Sequence, residues 1–361
     1  MSRSAPTGAS GAVDAATDAT AAGSAAPDTR HRRAVLVSAV LVVLLVVGAI
    51  LSATLGRYPL GVPAILQTIV APGAHPADAQ VFYDVRLVRI GAALLVGAVL
   101  ALAGSAFQAV FRNPMVSPDV LGASGGAGMG ASLALLFGLG VAGTQAFAFL
   151  GGLLAVLAAL VVDRMIDRRG SILTLILTGM VVASLCSAVI SLVKYVGDPE
   201  DKLPQITFWL LGGLSAVRPH DVAWLAAVFV VGGVALMALR WRLTALAFGD
   251  EQAATMGVDV RTVRLVTIAA ATLLTAVAVS VAGIVGWVGL LVPHLARILV
   301  GADNRVALPV SALLGALFLL VVDTVSRSAS GVEIPLGVLT ALLGAPGFLY
   351  LLALGRRQGW I

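Results

Sequence analysis

Of the 361 residues, 59% are hydrophobic and only 11% charged, with a mean hydropathy of +1.02; soluble domains are roughly 45–50% apolar and about 25% charged. Too little polar surface remains to cover a globule of this size in water, which excludes a soluble enzyme, a disordered chain and a nucleic-acid binder. The formal net charge of +5 acquires meaning only once the charges are placed along the chain. A single cysteine, Cys186, excludes an internal disulfide and a cysteine-rich metal site.

In chain order, residues 1–29 are rich in Ala, Ser, Thr, Gly and Asp and carry no apolar run, the composition of a disordered cytoplasmic tail, taken here to residue 33. The first apolar run follows Arg30, Arg32 and Arg33. It is longer than the 7–15-residue apolar core of a signal peptide and reads as an uncleaved helix. Further uncharged stretches cover 90–111, 120–162, 170–193, 222–239, 265–296, 306–322 and 334–355. A helix needs roughly 20 residues to cross the hydrocarbon. The 120–162 stretch is therefore a helical hairpin turned at Gly138, Gly140 and Gly143, and 265–296 is a normal helix joined to a short one around Gly283, Gly286 and Gly289. The sequence predicts ten spans, near 34–55, 88–110, 119–137, 145–163, 172–194, 221–239, 264–283, 287–300, 306–325 and 335–355. They form one transmembrane domain over 34–356, followed by a short cytoplasmic C-terminus at 357–361.

With the N-terminus inside, cytoplasmic segments hold 16 of the 23 Lys and Arg residues and external segments 7. This is the positive-inside bias, and it places both termini in the cytoplasm. Ionisable residues sit at span ends rather than centres (Asp163, Lys194, Asp323), which argues against proton or ion coupling. His31, His75, His220 and His294 have no partners at metal-ligand spacing. Neither Lys194 nor Lys202 follows a glycine, so there is no phosphate-binding loop, and any ATP must be bound by another chain.

Three segments stand out. Arg112-Asn113-Pro114-Met115-Val116-Ser117-Pro118-Asp119 stops one helix and starts the next, and the following Gly122, Gly126 and Gly130 permit close helix packing. Ala247 to Val258 has Asp250 and Glu251 where a helix N-terminus favours acids and Gly257 where a helix end favours glycine. A two-turn helix there would offer Ala253, Ala254 and Met256 to a partner's groove. Gly289-Leu290-Leu291-Val292-Pro293-His294-Leu295-Ala296-Arg297 is answered by Glu333-Ile334-Pro335-Leu336-Gly337-Val338 and Leu343-Gly344-Ala345-Pro346-Gly347-Phe348.

On these segments, over about residues 34–356, the chain resembles the FecCD-type permeases, the membrane subunits of ATP-binding-cassette importers for ferric siderophores, haem and vitamin B12. The resemblance implies an all-α integral membrane protein with the vitamin B12 importer-like permease fold and ten helices per subunit. It also implies a second permease subunit, identical or related, a cytoplasmic ATPase dimer and an extracytoplasmic substrate-binding protein. No cofactor is expected in this chain; ATP and Mg belong to the ATPase. The segment around Gly249, Asp250, Glu251, Ala253, Ala254, Met256 and Gly257 matches the helix that couples to the ATPase. Arg86, Arg89 and Arg327 match positions that meet acidic residues of the binding protein, and Ile172 and Leu173 match the region of the cytoplasmic gate. The resulting expectation is a non-enzymatic permease of the bacterial cytoplasmic membrane, in contact with lipid and not with nucleic acid, carrying a ferric siderophore. Haem or cobalamin is the alternative cargo, and an ion-coupled secondary transporter the alternative class.

Overall fold

The computed structural model describes residues 26–56, 58, 60–71, 75–166 and 171–357. Every regular element among them is helical. The chain runs α1 (Ala26–Thr54), α2 (Val62–Val70) and α3 (Pro76–Gln80), then passes without a break through a π-helical stretch (Val81–Leu87) into α4 (Val88–Phe111). A 3₁₀ turn (Pro118–Leu121) leads to α5 (Ala123–Leu136), α6 (Gly140–Ile166), α7 (Ile172–Val196), α8 (Lys202–Leu211) and α9 (Pro219–Leu246). The short α10 (Asp250–Thr255) precedes α11 (Val260–Ala282), α12 (Val288–Val300), α13 (Asn304–Ser328) and α14 (Leu336–Arg357).

Each of the ten expected spans coincides with a helix. Seven helices are long and apolar enough to cross a membrane, while α5, α12 and the Leu336–Leu351 part of α14 are shorter apolar helices. At 1.5 Å per residue the 14-residue α5 and 13-residue α12 reach only about 20 Å. Several boundaries differ from expectation. The first helix begins at Ala26, inside the expected tail, because Pro27 tolerates a first helical turn where its missing N–H has no partner to lose; residues 1–25 and 358–361 lie outside the described residues. The hairpin turns on Gly138 (φ 69°) and Gly140 (φ 68°), both in the left-handed region that favours glycine. Gly143 is already inside α6 and takes no part in the turn. The helices α2, α3 and α8 between the spans were not anticipated.

Burial ranks the helices. In the most apolar window of Pro76–Phe111, 83% of residues are buried, against 72% for α11 and 11% for α1. The α4 helix is thus the axis of the bundle and α1 a peripheral helix with most of its surface outward. The axis is possible because α4 is lined with small residues. A Cβ on Gly97 would stand 2.1 Å from the Gly315 carbonyl oxygen of α13, and one on Gly126 of α5 would stand 2.3 Å from the Gly151 carbonyl oxygen of α6. Backbones in contact at this range gain dispersion energy that larger side chains would forbid, the main attraction left where the solvent is itself apolar.

Candidate functional site

The segment Gly249–Gly257 folds as foreseen into a short helix. Gly249 enters it at φ 113° and Gly257 leaves it at φ 79°. The Val258 N–H donates to the Ala253 carbonyl (3.0 Å) and the Gly257 N–H to the Ala254 carbonyl (3.0 Å), so the last turn's acceptors are satisfied. Asp250 in the first turn accepts from Arg264 of α11 (3.0 and 3.2 Å) and pairs with Arg112 after α4 at 3.5 Å. One carboxylate thereby ties α10 to two of the most buried helices. Of the residues expected to face a partner, Glu251, Ala254 and Met256 are exposed. Ala253 is fully buried in the main core and is removed from that face. Phe248, 65% exposed just before the helix, is a further outward apolar side chain and was not foreseen. At the root of α11, Asp259 accepts from the Thr262 N–H (3.2 Å) and hydroxyl (2.6 Å), which hold its carboxyl below the usual aspartate range.

Arg112 itself adopts φ 49°, closing α4 in the left-handed conformation. Met115 donates its N–H to Asn113 Oδ1 (2.8 Å), and Pro118 opens the 3₁₀ turn. The elbow therefore has the proline-punctuated form expected of it, and its first residue touches α10.

The three arginines expected to meet the binding protein are buried within this chain. Arg86, Arg89 and Arg327 are 4%, 9% and 8% exposed, and all are committed internally. Arg89 donates to Asp323 (2.9 Å) and to both oxygens of Glu333 (2.9 and 3.1 Å). Arg327 lies 3.5 Å from the other Asp323 oxygen and donates to the Leu55 carbonyl (2.6 Å), the Ser52 carbonyl and the Ser52 hydroxyl (2.6 Å). Arg86 donates to the Ala53 and Tyr58 carbonyls. The physical reason is that the last turn of α1 has no intrahelical donors for its carbonyls and carries the negative end of the helix dipole. Two guanidinium groups satisfy it, and Asp323, fully buried, balances the charge. Tyr58 beside them donates to Asp78 (2.8 Å), and this carboxylate pushes the phenol above its ordinary pKa.

The two expected gate residues separate. Leu173 is 65% exposed, whereas Ile172 is half-buried and packs against the main core. Along the same helix Ser184, Ser187 and Ser191 are exposed, each hydroxyl turned onto its own helix carbonyl four residues back (2.9–3.0 Å).

The third constellation forms two contacts. Trp287 opens α12 at φ 70°, and its ring lies 6.3 Å from that of Phe348. Gly344 makes the room, since a Cβ there would stand 2.5 Å from Trp287 Cβ. Near the other end of the same segment, Leu336 donates its N–H to the Gly212 carbonyl (3.0 Å), anchoring α14 to the loop after α8. Pro293 interrupts α12, and the side chain facing the interruption is Gln108 of α4, which sequence reasoning missed. The signal was available: a single amide in the uncharged stretch 90–111.

A cavity of about 500 Å³ opens among the ends of α5, α6, α8 and α11, lined by Thr144, Gln145, Lys202, Gln205, Phe208 and Trp209 among others. Both Lys202 (3.2 Å) and Gln205 (2.5 Å) are held by Asp201, which neutralises the lysine. Among the described residues no group of three or more His, Cys, Asp or Glu could hold a metal ion.

A model of the FecCD transport family matches residues 44–353. The molybdate import system permease protein MolB of Haemophilus influenzae is 40% identical over 323 residues, covering 88% of this chain and 96% of the relative. The cobalamin import system permease protein BtuC of Halobacterium salinarum is 43% identical over 296 residues, covering 80% and 79%. A solved inward-facing structure of a metal-chelate type ABC transporter superposes with a TM-score of 0.80 at 39% identity, covering 87% of this chain and 97% of that one. Its apolar helices and these matches make the chain a multi-pass membrane protein and a member of the FecCD transport family, an ABC-importer permease rather than a catalytic subunit.

Proposed function

We propose that this chain crosses the bacterial cytoplasmic membrane ten times with both termini inside, and that it pairs with a second permease around a central path. An ATPase dimer drives it, and an external binding protein supplies a ferric siderophore. The observation that carries the reading is α10. It is a capped helix, locked to α4 and α11 through Asp250, that presents Phe248 and Met256 outward. By the distribution of arginines it lies on the cytoplasmic side. Exposed apolar side chains on a small rigid element outside the spans fit a protein groove, and motion imposed on them is passed to buried helices. The three shorter apolar helices are counted as spans as well, each falling in its own uncharged stretch of the sequence.

The second permease is supported by α7. Only 22% of its apolar window is buried within this chain, and the small Ser184, Ser187 and Ser191 on the exposed face let a helix of another subunit approach closely; Leu173 at its cytoplasmic end is the exposed residue of the expected gate. The ferric siderophore rests on the likeness to a metal-chelate transporter; molybdate and cobalamin are the cargoes named for the two relatives. Uptake of labelled ferric siderophore, haem, cobalamin and molybdate in a strain lacking the gene, with and without the gene restored, decides among them. Restored uptake of the ferric siderophore alone is the expected result, and restored uptake of another cargo instead replaces the assignment.

A further inference from the structure

Gln108 is 3% exposed in the penultimate turn of α4 and has no place in the roles above. Facing it, Pro293 has no N–H to give to the Gly289 carbonyl, and its ring crowds that turn of α12. The Gln108 amide nitrogen lies 3.2 Å from the Leu290 carbonyl and 3.4 Å from that of Gly289, supplying donors from a different helix. Its amide oxygen accepts from Arg297, one turn further along α12. Its backbone carbonyl accepts from the Asn113 N–H of the elbow (3.2 Å), and the adjacent Arg112 reaches Asp250 of α10. One turn before Gln108, a Cβ on Gly104 would stand 1.9 Å from the Gly289 oxygen, so the two backbones already touch there.

We propose that Gln108 is a positioning residue that makes α4 and the kinked α12 move as one body. A displacement of α10, received through Asp250 and Arg112, then reaches α12. This rests on the ATP-driven transporter reading. The link is a buried hydrogen-bonded contact, with the elbow on one side and, on the other, a helix in which Pro293 leaves the Gly289 carbonyl without its intrahelical donor. Leaving a buried carbonyl without a donor is costly.

The test is a double-mutant comparison in proteoliposomes holding the complete transporter with its ATPase and binding protein, read as cargo moved per ATP hydrolysed. Gln108→Leu, which keeps size and removes the amide, is expected to lower that ratio about tenfold, the scale of a lost buried hydrogen bond between the two helices, with basal hydrolysis unchanged. Gln108→Glu keeps an acceptor for Arg297 but has no donor and is expected to fall equally. Pro293→Ala returns an N–H to the Gly289 carbonyl without tying α12 to α4, so in the Gln108→Leu background it is expected to restore assembly but not the ratio. If Gln108→Leu alone fails to assemble, the double variant must assemble and show the lowered ratio. A wild-type ratio in Gln108→Leu or Gln108→Glu, or full recovery of the ratio in the double variant, overturns the proposal alone. A wild-type complex without ATP-dependent uptake removes the transporter reading, and the proposal with it.

Discussion

Arg89 joins two carboxylates and Arg327 joins one of them to the end of α1, so a single buried acid, Asp323, holds three helices. Removing one member of a buried ion pair strands the others, at a cost of about 3–5 kcal/mol. Asp323→Ala is therefore expected to lower the apparent melting temperature of the purified protein strongly. Arg89→Glu, which places a third carboxylate beside Asp323 and Glu333, should abolish the folded state. A normally folded Arg89→Glu protein that has lost only its binding protein would show that Arg89 serves docking instead. This cluster was not legible beforehand. An arginine at a span end looks the same whether it faces water or folds back, and the Asp323 partner of Arg89 lies 234 positions away. The lone amide of Gln108 could be seen, but what it does could not, since it donates to backbone carbonyls 181 and 182 positions distant, which no side-chain motif encodes.

Short elements were read well where glycine and proline punctuate them. The turn on Gly138 and Gly140, the elbow at Arg112–Pro118 and the bounds of α10 all follow from residues with restricted or unusual backbone preferences. What those residues do not encode is which side of a two-turn helix faces inward. Ala253 was assigned to the partner's face and lies in the core, because a small residue is compatible with either. The corrected face makes an element-level prediction. Met256→Asp should leave the melting temperature unchanged while lowering ATPase co-purification at least about tenfold, as loss of a central interface anchor does. Ala253→Asp buries an unpaired charge and should destabilise the chain itself. A Met256→Asp protein that retains its ATPase would show that α10 docks elsewhere or not at all.

At the scale of the molecule, the gaps between charges located the seven long apolar helices and the shorter α5, α12 and α14, because a charge in hydrocarbon is costly enough to be excluded from most span centres. They overstated the uniformity of those helices. Burial grades them from the enclosed α4 to the peripheral α1, and α5 and α12 are much shorter than the rest. On the proposed reading the energy comes from the partner ATPase. A permease can only redistribute among conformations that ATP binding elsewhere stabilises differently. The energy source is therefore the most direct point of attack. Uptake of the cognate cargo is measured into proteoliposomes with the binding protein outside, comparing the chain with its ATPase and enclosed ATP against the chain alone under an imposed proton or sodium gradient. The account predicts uptake in the first case and none in the second; gradient-driven uptake by the chain alone would contradict it.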